Sequence, residues 1–215
     1  MRLPLRLAAA SAAVVVSAAG LTAACAAPAF ADDGVNLRPT VHLVGAQCGG
    51  RRTSLSFRFW DDHTPLDELT YGFVFDNNPG MFEGGNPVWW RGGLQRRFTL
   101  NLTKNAKGTA DLVFAVTDAE GNSRRYPLTV RVGYQHMTGT DRTDVMVGWG
   151  STHTLRGMGG DDVLCTGAGN DVLDGGAGRD WLGGGPNADQ FVTDDADTLL
   201  DLSGADGDTQ GAARG

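Results

Sequence analysis

Between Val41 and Val132 the chain alternates apolar and polar residues. The runs Ser54-Leu55-Ser56-Phe57-Arg58-Phe59, Phe98-Thr99-Leu100-Asn101-Leu102 and Leu128-Thr129-Val130-Arg131-Val132 have the period of two that a half-buried strand requires, and Leu112-Val113-Phe114-Ala115-Val116 is more continuously apolar. Turn-forming clusters separate them: Asn77-Asn78-Pro79-Gly80, Lys107-Gly108 and Asp118-Ala119-Glu120-Gly121-Asn122. No comparable stretch shows a helical period, so this part predicts an antiparallel β-sandwich over residues 35–133. From Gly139 the period changes to nine. Residues 139–192 divide into six units, GTDRTDVMV, GWGSTHTLR, GMGGDDVLC, TGAGNDVLD, GGAGRDWLG and GGPNADQFV, whose eighth position is always apolar: Met146, Leu155, Leu164, Leu173, Leu182, Phe191.

Each unit reads as a six-residue turn followed by a three-residue strand whose middle side chain points inward, because strand faces alternate. Two units close one coil of 18 residues, giving three coils of a parallel β-roll and an all-β chain. The sixth position reads Asp144, His153, Asp162, Asp171, Asp180, Asp189, so carboxylates 18 apart stack on the same edge. A cation between stacked turns would take carboxylate oxygens from both, with turn carbonyls completing a shell of about six to eight oxygens. The pairs are Asp144 with Asp162, Asp162 with Asp180, and Asp171 with Asp189. His153 breaks the second ladder, since imidazole suits softer metals than calcium, which leaves about three calcium sites. No zinc-like spacing links His153 to Cys165 and His136, and a surface position is the ordinary expectation for His153. The turn glycines are expected to permit positive φ and close convergence of carbonyls: Gly157, Gly159, Gly167, Gly169, Gly175, Gly176, Gly178, Gly184 and Gly185.

The nonapeptide resembles the G-G-x-G-x-D-x-U-x repeat of the RTX, or haemolysin-type, calcium-binding family, best in the third to fifth units. The resemblance implies a calcium-binding β-roll over residues 139–202, with Asp197-Thr198-Leu199-Leu200-Asp201-Leu202 as the segment that ends the array. More weakly, Phe59-Trp60-Asp61-Asp62, Thr64-Pro65-Leu66 and Val116-Thr117-Asp118-Ala119-Glu120-Gly121 resemble bacterial immunoglobulin-like or cadherin-like modules, which implies a binding or spacer role. Residues 203–215, rich in Gly, Ala and Asp, are expected to fray.

Charge sharpens this division. Residues 32–133 carry 12 basic and 11 acidic groups, whereas residues 134–215 carry 4 and 14. So acidic a block must recruit cations or stay open, and three short coils bury too little to offset their ordering entropy, so the roll is expected to fold only with calcium. Residues 1–31, with Arg2 and Arg6 before an Ala/Val/Leu run and Ala29-Phe30-Ala31 at the end, have the layout of a secretory signal peptide. Its removal takes two of 18 basic and none of 25 acidic residues, leaving a net charge of −9, which disfavours nucleic acid as a partner. No later run is long and apolar enough for a membrane-spanning helix. Leu21-Thr22-Ala23-Ala24-Cys25 also resembles a lipobox, making a surface lipoprotein anchored through Cys25 the alternative to release. Cys48 and Cys165 lie one in each charge block, and their spacing leaves pairing open.

No H-E-x-x-H or G-x-S-x-G motif occurs, and His63 beside Asp61 and Asp62 reads as a strand-end turn, so no enzyme activity is expected. Asp61, Asp62 and Asp118 have turn-forming roles as their ordinary reading and calcium ligation as the alternative. For Trp60, Trp89 and Trp90 core packing stands against a carbohydrate platform. An extracellular protein or glycan is the partner the sequence leaves open, with an adhesin as the alternative function.

Overall fold

The computed structural model describes residues 37–85, 88–91 and 95–212; the leader, the Cys25 site and the first two residues of the expected sandwich lie outside them. Seven strands build the antiparallel part: β1 (Thr40–Gln47), β2 (Arg52–Trp60), β3 (Thr70–Asp76), β4 (Val88–Arg91), β5 (Gln95–Asn101), β6 (Gly108–Thr117) and β7 (Ser123–Val132). They pair as β1-β2-β5-β4 in one sheet and as β3-β6-β7 in the other. The inward residues of β2 and β6 meet in an aromatic core, with Phe57 and Phe59 stacked on Phe114 at 5.4 and 5.7 Å between centroids. No helix among the described residues is long and apolar enough to cross a membrane.

The C-terminal part is a parallel β-solenoid. One wall consists of β8 (His136–Thr138), β10 (Thr154–Arg156), β12 (Val172–Asp174), β14 (Gln190–Thr193) and β16 (Thr209–Ala212). The other contains β9 (Asp144–Val147), β11 (Val163–Cys165), β13 (Trp181–Gly183) and β15 (Thr198–Leu199). Partners are 18 residues apart through the repeats: Leu155 registers with Leu173 and Leu164 with Leu182. Met146, Leu155, Leu164, Leu173, Leu182 and Phe191 form one buried row between the walls, joined by Met137.

One expectation changes. Residues 203–215 do not fray throughout, because Thr209–Ala212 pair in parallel with β14 and add a strand to the solenoid. The solenoid also begins before Gly139, since His136–Thr138 pair in parallel with Thr154–Arg156.

The two parts also share a sheet and a core. β7 pairs in parallel with β9, aligning Thr129 with Asp144 and Val132 with Val147, so the inner solenoid wall continues the β3-β6-β7 sheet. Val145, Val147, Val163, Cys165 and Trp181 point away from the solenoid interior and join the cluster around Phe57 and Phe114. Cys48 and Cys165 are bonded across this junction, with their Cα atoms 5.4 Å apart. Gly183 pairs with Cys165 on the next strand, and a Cβ there would lie 2.7 Å from Cys48 Sγ, so the bridge explains glycine at this position. Arg179 adds a polar tie, its guanidinium donating to the Leu43 carbonyl at 2.9 Å while lying over the Trp181 ring.

Candidate metal centre

Each repeat aspartate from Asp162 onward spans two coils. Asp162 Oδ1 accepts the Asp144 N–H at 2.7 Å, Asp180 Oδ1 accepts that of Asp162 at 2.8 Å, and Asp197 Oδ1 accepts that of Asp180 at 2.9 Å. On the opposite edge Asp171, Asp189 and Asp208 accept from His153, Asp171 and Asp189 at 2.6, 2.8 and 2.9 Å. These bonds use one oxygen of each carboxylate. The second oxygen of Asp162, Asp171, Asp180 and Asp189 is buried and has no hydrogen-bond partner. A buried, unsatisfied carboxylate oxygen is costly, and it is the acceptor that a cation would satisfy.

The turns close tightly on these oxygens. A Cβ at Gly157 would overlap both Asp162 Oδ2 and the Gly175 carbonyl, at Gly175 it would meet Asp180 Oδ2, and at Gly184 it would meet Asp189 Oδ2. Gly160, Gly169, Gly176, Gly178 and Gly185 have positive φ. Gly159 needs neither explanation: its φ is not positive and a Cβ there would be 3.7 Å from its nearest neighbour. At Gly167, also without positive φ, the nearest atom would be 3.3 Å away. Met158, by contrast, sits at φ +82° in a place equivalent to Gly176, and its side chain is 52% exposed. Because a non-glycine residue there costs about 1–2 kcal/mol and little packing would be lost, Met158→Gly is expected to stabilise the calcium-saturated protein by about 0.5–1 kcal/mol, measured by thermal unfolding.

The geometry departs from the expected ligand set at two places. Asp144 is fully buried, but both of its oxygens are engaged: Oδ2 accepts from Thr140 N and Oγ1 at 2.8 Å each, and Oδ1 accepts from Arg131 Nε at 3.2 Å. It therefore offers no orphaned oxygen, because a guanidinium from β7 already supplies positive charge. His153 is not a surface residue; it is buried, packs against Gly148, and holds Nδ1 3.3 Å from Asp171 Oδ1. Sequence reasoning also missed Asp208 as an acceptor, Arg131 as the charge at the head of one ladder, and Thr166, whose hydroxyl donates to the Gly184 carbonyl at 2.7 Å. Asp208 lies 19 residues after Asp189, one off the 18-residue period, so the repeat does not point to it.

Among the described residues no three His, Cys, Asp or Glu side chains converge as a metal cluster. A cation at these turns would thus depend on backbone carbonyls for most of its ligands, which the glycine-lined turns provide and which a hard oxygen-seeking ion accepts.

Burial, with neighbouring carboxylates adding to it, pushes Asp162 up to about 8, Asp180 to about 7 and Asp189 to about 6. For Asp162 the neighbours are Asp180, Asp144 and Asp161; for Asp180 they are Asp197, Asp161 and Asp194. In the metal-free fold these groups bind protons more tightly than in the unfolded chain, so their stabilisation is fully present below about pH 4 and is lost as pH rises through about 6, 7 and 8. A cation reverses this preference by favouring the ionised forms. Calcium affinity measured by titration calorimetry is therefore expected to fall about tenfold or more from pH 8 to pH 6.

The C-terminal part is thus a parallel solenoid with stacked aspartates and glycine-lined turns. Residues 156–191 match the family model described as the RTX calcium-binding nonapeptide repeat, four copies. The match covers the central repeats, including Asp162, Asp171, Asp180 and Asp189, and implies calcium binding. No curated protein matches the chain.

Proposed function

We propose that this protein is an exported, non-enzymatic calcium-binding protein whose solenoid closes around calcium after it leaves the cell. The observation that carries the reading is the set of four buried, unpartnered aspartate oxygens, on Asp162, Asp171, Asp180 and Asp189, in the repeats that match the family model. The proposed ligands are these carboxylates with carbonyls of the turns around Gly157, Gly159, Gly167, Gly169, Gly175, Gly176, Gly178, Gly184 and Gly185. Asp144 leaves this set and acts as an anchor to β7. Bound calcium would supply the positive charge that keeps the stacked carboxylates ionised and in contact.

The chain's own residues do the rest. The Oδ1 atoms fix the stacking by accepting N–H groups 18 residues away, and the inward apolar row excludes water between the walls. Calcium is scarce inside cells and abundant outside, so the solenoid stays open until export. The antiparallel part is read as an immunoglobulin-like or cadherin-like binding or spacer module, and it also gives the first coil a preformed strand, β7, to pair with. A far-ultraviolet circular dichroism titration of residues 32–215 tests the reading: β signal is expected to grow between chelator and about 5 mM calcium, a range suited to extracellular sites. An unchanged spectrum and no calcium heat would end it.

A further inference from the structure

The outer face of the β1-β2-β5-β4 sheet has a charge pattern unlike the rest of the chain. The four strands contain no aspartate or glutamate, in a chain whose net charge is −7, and they place Arg52, Arg58, Arg97 and His42 on the exposed face, whereas Arg96 turns to the core side over Tyr71. Alternation places Arg52, Ser54, Ser56, Arg58 and Trp60 of β2 outward, because Thr53, Leu55, Phe57 and Phe59 are the buried set. On β5, Arg97 stands beside Ser56 and Thr99 beside Ser54 in the register. Arg52, Arg58 and Arg97 are exposed, and among the described residues none has a carboxylate partner.

We infer that this face binds an acidic polysaccharide, a linear glycan carrying repeated carboxylate or sulfate groups. The inference rests on the reading of the antiparallel part as a binding module and names its partner class. The arginines form a track instead of a pocket: six residues of β2 separate Arg52 from Arg58, about 20 Å, and Arg97 lies one strand spacing to the side between them. A small anion would need guanidinium groups gathered at one point, whereas a polymer with regularly placed anions can meet them in turn. Between the charges the face offers what a sugar ring needs. A shallow depression of about 550 Å³ is lined by Arg52, Ser54, Thr99, Asn101 and Glu83. Ser54 Oγ and Thr99 Oγ1 are 2.9 Å apart, so the hydroxyls form a joined donor and acceptor pair. Glu83 stands at the rim, paired with Arg51 at 3.0 Å. Trp60, 38% exposed, ends the track with an indole suited to lie against a pyranose face.

Duplex nucleic acid fits less well. It would need a broad positive surface, whereas here the arginines form one narrow track on a chain that also carries the acidic solenoid, joined to the other sheet through β7. The acidic surface of a second copy is the other competitor, and the experiment separates all three.

Residues 32–215, saturated with calcium, are titrated by fluorescence anisotropy with labelled hyaluronan, dextran sulfate, uncharged dextran and duplex DNA, with sedimentation velocity in parallel. The expected result is saturable binding of hyaluronan or dextran sulfate, weaker binding of DNA and none of uncharged dextran. Arg52→Gln/Arg58→Gln/Arg97→Gln should weaken the glycan by about tenfold or more and flatten its salt dependence, since each lost contact removes counterion release. Arg124→Gln/Arg125→Gln, at a separate depression beside Arg38, should leave glycan affinity unchanged. Calcium calorimetry of the triple variant should match the parent, so loss of glycan binding is distinguishable from loss of the calcium-dependent fold. Absence of glycan binding, equal binding by the triple variant, equal preference for DNA, or self-association abolished by the triple variant in place of glycan binding would each overturn the inference.

Discussion

Asp162→Asn/Asp180→Asn is expected to abolish calcium-dependent stabilisation of one edge of the solenoid and, with it, most of the calcium response of the protein. Asparagine keeps an Oδ1 to accept the Asp144 and Asp162 N–H groups, now at 2.7 and 2.8 Å, so the stacking bonds survive. What disappears is the negative charge and the orphaned Oδ2 on two consecutive coils. A site occupied at a hundredfold excess over its dissociation constant contributes about 2.7 kcal/mol, so two sites approach the lower end of a domain's whole stability of about 5–15 kcal/mol. In chelator, where the solenoid is open in both, the substitutions have no stacked turns to act on. The double variant should therefore melt below the parent with calcium and match it in chelator. Asp144→Asn is the contrast: it loosens the contacts to Thr140 and Arg131 but should leave the number of bound calcium ions unchanged by calorimetry.

The second large effect belongs to the bridge between Cys48 and Cys165, whose partners are 117 residues apart. Closing a loop on the order of 100 residues lowers the entropy of the unfolded chain by an amount worth up to about 4.7 kcal/mol. Cys48→Ala/Cys165→Ala is expected to lose most of that, which for a chain of this size is a fall in thermal midpoint on the order of 10 °C. Alanine is the right replacement because Cys165 is fully buried and a serine hydroxyl would need a partner there. Differential scanning calorimetry checks the shift, and calcium titration of the same variant should show weaker binding, since the bridge holds the third repeat against the antiparallel layers. A midpoint within about 2 °C of the parent would show that the shared core alone holds the junction.

That junction was the least legible feature of the sequence, although its signal was present. The nine-residue period identified the inward row from Met146 to Phe191 and the stacked aspartates, because every unit has the apolar residue and all but the second have the aspartate. The positions flanking the inward residue follow a period of 18. Val145, Val147, Val163, Cys165 and Trp181 are apolar where the wall lies on the antiparallel core, whereas on the other wall Thr154, Arg156, Asp174 and Gln190 are polar or charged and only Val172 and Val192 are apolar. Averaging over nine residues concealed that difference. Met137 was equally readable, being nine residues before Met146, and it marks β8 as part of the solenoid. β16 was not readable from hydrophobicity, because Thr209–Ala212 contain no large apolar residue and every one of them is exposed; main-chain pairing with β14 supplies what the side chains do not. The role of Asp144 depended on Arg131, a neighbour outside the repeats that their alignment does not bring in, whereas the stacking of His153 on Asp171 follows from their 18-residue spacing and only its burial went unread.

The most direct measurement is a crystal structure of residues 32–215 grown with calcium, with anomalous scattering used to locate the ion. The account predicts calcium density between stacked turns, about 2.3–2.6 Å from the Oδ2 atoms of Asp162, Asp171, Asp180 and Asp189, and none beside Asp144 Oδ2. A folded solenoid with no anomalous density at those four oxygens would contradict it.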